Sequence, residues 1–230
     1  FLADLKAGKG DRLPNLSIVR LSNDHTSGLR RGTPTPQFYV AENDYALGRL
    51  VEDVSNSPYW ADTAIFVVED DAQDGPDHVD AHRSPGLVIS AYNRPGALVH
   101  EFHNTVSLIR TIELCLGLPP MNFIDANATP IDIFTAKADL RPYTAEMPIV
   151  ALDNLFPPEK PNAAMAYYMD LTDRQNLEHQ DMADPRQLNE IIWFSVKGGT
   201  AMPTAMRMPA FDLMTAGVKP DDDDEDEAGE

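Results

Sequence analysis

Apolar and polar positions along the first two thirds of the chain fall into short blocks whose spacing predicts both strands and helices. Thr63-Ala64-Ile65-Phe66-Val67-Val68 is a β-branched and aromatic run of the kind that forms a buried strand. Leu16-Ser17-Ile18-Val19-Arg20-Leu21 and Gly86-Leu87-Val88-Ile89-Ser90 read as two further strands, the second apolar enough to be buried on both faces. After Thr35-Pro36, a cap and first-turn pair, Phe38, Ala41, Tyr45, Gly48, Val51 and Val54 recur at three- or four-residue steps until Ser57-Pro58 closes the segment. A second helix is predicted from about Phe102 to Leu116, its face formed by Val106, Ile109, Ile112, Cys115 and Leu116, with Gly117-Leu118-Pro119-Pro120 ending it. On that pattern Cys115 is a core residue, and Tyr59-Trp60 and Trp193 are packing residues. Shorter helices are expected at the start, within Phe1 to Lys9, after Thr129-Pro130 over Ile131 to Ala138, and late in the chain over Ala163 to Asp170 and Pro185 to Val196. Strand, long helix, strand, loop, strand and helix is the rhythm of an α/β sheet with crossovers.

One stretch departs from this alternation. Residues 68–83, Val68-Glu69-Asp70-Asp71-Ala72-Gln73-Asp74-Gly75-Pro76-Asp77-His78-Val79-Asp80-Ala81-His82-Arg83, carry six acids and two histidines in sixteen positions, with Arg83 the only cation. The stretch follows a predicted strand, and the carboxyl ends of strands are where open α/β sheets bind ligands. Asp70, Asp74, His78 and His82 recur at every fourth residue, but Gly75-Pro76 argues against one continuous helix. So many carboxylates in one loop repel one another unless a cation or solvent screens them, which points to a divalent-metal site. Asp24-His25 follows the predicted strand of residues 16–21 in the same way, and with Asp70, Asp71, Asp74 and His78 it offers the mixed oxygen and nitrogen donors that a pair of divalent ions needs. Each residue also has a plainer reading. Asp24 can cap a turn, Asp74-Gly75 and Asp77-His78 can be turn residues, and His25 can be a hydrogen-bonded imidazole. His100 and His103 stand at the entry of an apolar helix, where capping or surface roles are the common ones.

Charge narrows the partners. The net charge is −19, and without the eight acids of Asp221 to Glu230 it is still −11. Lysine and arginine are not clustered, which argues against nucleic acid as a partner. The acidic tail reads as a disordered solubilising extension. No apolar run reaches the length of a membrane span, and the single cysteine offers no disulfide. After Arg141-Pro142-Tyr143, prolines at 148, 157, 158, 161 and 185 break any regular alternation, and residues 146–160 read as an extended segment wrapping over the surface. The expected organisation is a domain over 1–143, a wrapping extension with short helices over 144–219, and the tail over 220–230.

The run EDDAQDGPDHVDAHR, with NDHT before it, SPYWADTAIFVV leading into it and TVSLIRTIELCLGLPPMN after it, resembles the bacterial phosphoesterase family of the alkaline-phosphatase-like superfamily. That family includes acid phosphatases and phospholipases C, and the likeness is greatest to members in which the domain follows a β-propeller. It covers residues 13–143 and extends through NEIIWFSVKG to about residue 198. The resemblance implies a three-layer α/β/α core, a metal-dependent hydrolase of phosphate esters acting on a small phosphoester or a lipid headgroup, and a periplasmic or secreted setting. It implies metal ligation by Asp70-Asp71, with His78 in the family's Asp-His pair and Asp24-His25 in its earlier acidic-His motif. Asn23, Asp74, Asp77, His82 and Arg83 are the neighbours that orient ligands or meet substrate. The ion is Mn, Ca, Fe or Zn, since the donors are carboxylates and imidazoles without thiolate. Members also carry, well upstream, an acidic-Asn metal motif and a serine or threonine nucleophile. Neither stands before Leu13 here, so the resemblance implies the C-terminal portion of the domain, with the nucleophile upstream of Phe1. Ser17, Ser22, Thr26 and Ser27 read as strand and turn residues. A phospholipase C-like lipid hydrolase and a noncatalytic binding or structural module are the alternatives.

Overall fold

The computed structural model describes residues 2–8, 13–21, 25–69, 83–94, 96–149, 157–179 and 182–202. Its elements are α1 (Leu2–Ala7), α2 (Pro36–Ser55), a 3-10 turn (Trp60–Asp62), β1 (Ala64–Val68), β2 (Gly86–Ser90), α3 (Thr105–Leu116), α4 (Phe123–Ala126), α5 (Ala163–Asp173) and α6 (Pro185–Lys197). The chain forms two compact units, one of Phe1–Ser22, Asn43–Glu69 and Pro85–Pro148, the other of Asn23–Glu42, Asp70–Ser84 and Ile149–Glu230. Helices with a small sheet are consistent with the α/β class expected from the sequence.

In the first unit, β1 and β2 pair antiparallel, with Ala64 opposite Ser90 and Val68 opposite Gly86. The core gathers Leu5, Val54, Trp60 and Ala91, with Leu50, Ile65 and Ile89 packed against them. The packing role expected for Trp60 is what the fold uses. Its indole is buried and meets Tyr143 edge-on at 6.0 Å. Tyr143 is in turn pinned where α2 ends, its N–H donating to Ser55 Oγ at 2.9 Å. The chain then runs close over Gly48, where an added Cβ would stand 3.6 Å from Ala145 Cβ. α3 starts at a capping box, Asn104 accepting from the Ser107 N–H at 3.0 Å, and ends at Gly117 in the left-handed region with φ 66°.

The second unit is built on α5 and α6. Leu29, Met169, Leu171 and Ile191 form its core, and Tyr168 stacks on Phe194 at 4.2 Å. Asn162 caps α5 and Asp184 caps α6, with Pro185 in the first turn. Both helices fall where the apolar spacing puts them.

Several expectations are corrected. Leu16 to Leu21 has strand-forming residues but no regular element, and Ile18 is 92% exposed; β-propensity describes a residue that fits a pleated, half-buried surface, and no strand pairs with this segment among the described residues. β1 and β2, read as joined by a loop, are direct antiparallel neighbours, and no crossover-linked strand pair is present among the described residues. β2 is exposed at Gly86 and Leu87 and buried only at Ser90, so it is not covered on both faces. Residues 131–138 form no helix: backbone partners outcompete the local helical signal, as Arg94 N–H donates to the Ile133 carbonyl at 3.1 Å and Thr135 N–H to that of Tyr92 at 2.7 Å. Cys115 is exposed. The fully buried positions of α3 are Ser107, Thr111 and Glu113, so the face turned inward is polar and the apolar stripe is only partly covered.

Candidate functional site

The acidic stretch connects adjacent strand ends. Where β1 stops, the Glu69 N–H donates to the Pro85 carbonyl at 3.3 Å, one step beyond the Val68–Gly86 pair. The β1–β2 pairing therefore ends at Glu69 and Pro85, the residues that flank this stretch in the sequence. Asp70, Asp71, Asp74, Asp77, His78 and His82 lie outside the described residues, as do Asn23 and Asp24. Of the predicted set, the structure describes His25 and Arg83, and both are exposed.

His25 heads a loop in the second unit that is held from beneath. Gly28 N–H donates to Thr26 Oγ1 at 3.0 Å, and Leu29 N–H donates to Thr172 Oγ1 at 3.2 Å. Thr172 is completely buried and passes its own proton to the Tyr168 carbonyl at 2.8 Å. Gly28 has φ +58°, and a Cβ there would lie 2.9 Å from Thr172 Cγ2 and 3.3 Å from Ile191 Cγ2. Only glycine combines that backbone with that approach. Further along, Thr33 Oγ1 donates to the Arg30 carbonyl at 2.9 Å. The result is a seated loop with an imidazole on its exposed side, and no hydrogen bond or ion pair engages the His25 ring among the described residues. An accessible imidazole on a seated backbone can serve as a metal ligand.

The hydroxyls nearby fit their reading as turn residues. Thr26 Oγ1 accepts from its own turn, and Ser27 Oγ lies 3.4 Å from Tyr39 Oη. Neither is bonded to an imidazole or carboxylate among the described residues, the contact a hydroxyl nucleophile uses for activation. Cys115 is no better a nucleophile, since partial burial pushes its thiol up from the ordinary value.

Sequence reasoning missed a buried carboxylate pair. Asp125 is almost fully buried. Its oxygens accept from Met121 N–H at 2.7 Å, Asn122 N–H at 2.8 Å and Ala126 N–H at 3.0 Å. Burial pushes this carboxyl up, but the backbone donors of Asn122 and Met121 and a hydrogen bond with Glu113 outweigh it and hold it below the ordinary value. Glu113 pairs with Arg110 at 3.1 Å. The signal was the Asn-x-x-Asp spacing of a capping box at Asn122. These acids serve the backbone, and among the described residues no group of three His, Cys, Asp or Glu is placed to hold a metal. A groove of about 330 Å³ in the first unit, floored by Leu47, Val51, Val88 and Ile89 with Asp44 and Glu146 alongside, has no cation to meet a phosphate.

A sequence model described as the Phosphoesterase family matches residues 1–119, just over half of the 230-residue chain. The match takes in NDHT at 23–26 and the whole acidic stretch, so every predicted ligand falls inside it. No curated protein and no solved structure matches the chain.

Proposed function

The chain belongs to the phosphoesterase family, and from that premise we propose that it is part of a metal-dependent hydrolase of phosphate esters, of phosphatase or phosphodiesterase type. Family membership carries hydrolysis of an ester bond. The finer reading is supported by one observation: the family match contains an acidic and imidazole-bearing stretch, residues 70–83, that follows β1 in the sequence.

The donors suit a hard or borderline divalent ion, Mn, Ca, Fe or Zn. Asp70 and Asp71 would hold one ion, while Asp24, His25 and His78 would serve a second or orient the substrate. The exposed His25 ring, which no hydrogen bond or ion pair engages among the described residues, fits that role. Bound divalent ions offset phosphoryl charge and lower the pKa of an attacking group. The chain's own residues do the positioning: Gly28, Leu29 and Thr172 fix the height of His25, and Arg83 meets a phosphate oxygen. The reading goes with a three-layer α/β/α core and a periplasmic or secreted setting. Among the described residues no helix is long and apolar enough to cross a membrane.

Metal content and turnover test this together. The full-length protein should retain divalent metal and hydrolyse p-nitrophenyl phosphate, a bis-ester or a phosphocholine lipid. The Asp70→Ala/Asp71→Ala variant should lose both. Unchanged metal content in that variant overturns the ligand assignment. Metal binding without turnover on any of the three substrates favours the noncatalytic module, and preference for the lipid favours the phospholipase C-like reading.

A further inference from the structure

Between two buried acids the first unit presents an uncharged, outward-facing corner. Leu114 to Ile124 contains no charged residue, and Glu113 and Asp125, which bracket it, are buried. Leu114 is 50% exposed, Leu118 51%, Met121 71%, Phe123 80% and Ile124 67%. At roughly 150–200 Å² per large apolar side chain, these five leave on the order of 500–600 Å² open, at the upper end of the largest patch on an ordinary monomer. The corner is also stiff. Leu118 N–H donates to the Glu113 carbonyl at 2.8 Å, Met121 N–H donates to Asp125 at 2.7 Å, and Asn122 caps α4. A surface that is already ordered loses little entropy on docking.

We propose that this α3–α4 corner is a self-association surface that pairs with the same corner of a second copy of the chain. Area is the first argument. Two such faces remove about 1,000–1,200 Å² in total, which clears the roughly 1,000 Å² that a specific interface needs. Charge is the second. At a net −19, two copies repel over most of their surface, and an uncharged apolar face is where they approach at least cost. A twofold pairing brings like residues together, so an apolar face without charges is its own complement.

The lone thiol supplies a reporter, because Cys115 lies exposed within this corner. The full chain should sediment as a dimer at tens of micromolar and as a monomer on dilution, with maleimide labelling of Cys115 at least about tenfold slower in the dimer. Phe123→Lys should weaken the dimer at least about 30-fold, the cost of losing a hot-spot side chain, and should restore rapid labelling. Lysine makes the chain less negative, so lost pairing cannot be assigned to greater overall repulsion between copies, and the uncharged Phe123→Ser should weaken the dimer as well. Phe123 is exposed, and an unchanged circular dichroism spectrum confirms that the variant folds. Val40→Lys, at an exposed apolar residue outside the corner, should leave the dimer intact. A chain that stays monomeric at 100 µM overturns the proposal, as does a dimer indifferent to Phe123→Lys. Labelling that is slow at every concentration also overturns it, because the corner is then covered by something other than a second copy.

Discussion

Gly28→Ala is the sharpest probe of how the His25 loop is held. Three terms act. Alanine at φ +58° carries a left-handed backbone cost of about 1–2 kcal/mol. Its Cβ would stand 2.9 Å from Thr172 Cγ2, 3.1 Å from Thr172 Oγ1 and 3.3 Å from Ile191 Cγ2. Those side chains are fully buried and cannot swing aside, so overpacking adds about 1–3 kcal/mol. Against this, alanine restricts the unfolded chain and returns about 0.4–1 kcal/mol. Gly32→Ala is the control, since Gly32 has φ +76° and nothing within 4 Å of the new methyl. It shares the first and third terms, so the difference between the two variants isolates the steric term, about 1–3 kcal/mol. Urea unfolding measures that difference, and hydrogen exchange at the Leu29 amide, which donates to Thr172 Oγ1, shows where it acts. Metal affinity should fall in Gly28→Ala if His25 is a ligand. Two variants within about 0.5 kcal/mol of each other, with the Leu29 amide equally protected, would refute a seated loop.

Other outcomes follow from single contacts. Thr172→Val keeps the shape but strands the buried Leu29 N–H, and should cost about 1–3 kcal/mol in the same urea assay. Asp125 is ionised more readily folded than unfolded, so its stabilisation is fully present above about pH 4 and is lost as pH falls through the folded value; Asp125→Asn should flatten acid unfolding in that window. Asp139, paired with Arg141, is held at about 2, and Arg141→Gln should return it toward 3.8 in an NMR titration with little change in Tm, because both side chains are exposed. Cys115→Ser should move stability by no more than about 0.5 kcal/mol, as befits an exposed side chain.

The elements that were legible are those whose signal is local. Helix α2 announces itself through Thr35-Pro36 and a long apolar period, and α6 through Asp184-Pro185. β2 falls on the predicted residues, and β1 begins one residue later than predicted, at Ala64. What failed was decided by partners distant in sequence. Leu16 to Leu21 needs a neighbouring strand, which no local pattern supplies. The helical signal at Thr129-Pro130 lost to hydrogen bonds from Tyr92 and Arg94, some forty residues earlier. Helical periodicity placed Cys115 inward, yet on α3 the inward positions went to Ser107, which closes the capping box with Asn104, and to Thr111 and Glu113, which accept from the Ile131 and Met121 N–H groups. Of the candidate site residues the structure describes His25 and Arg83. The seat beneath His25 was not legible in the sequence, because Gly28 and Thr172 stand 144 residues apart and meet only in the fold.

The β1–β2 pairing ends at the bond from the Glu69 N–H to the Pro85 carbonyl. Its register fixes every side chain on both strands, and a one-residue slip would turn each to the opposite face. Loop length is a weaker constraint than register, because doubling the length of a closed loop costs only about 0.6 kcal/mol. Mutational drift should therefore leave its mark unevenly. Insertions and deletions between 70 and 84 should cost less stability than those within β1 or β2. On the proposed ligand assignment, substrate preference would then diverge through that one segment without the fold being rebuilt.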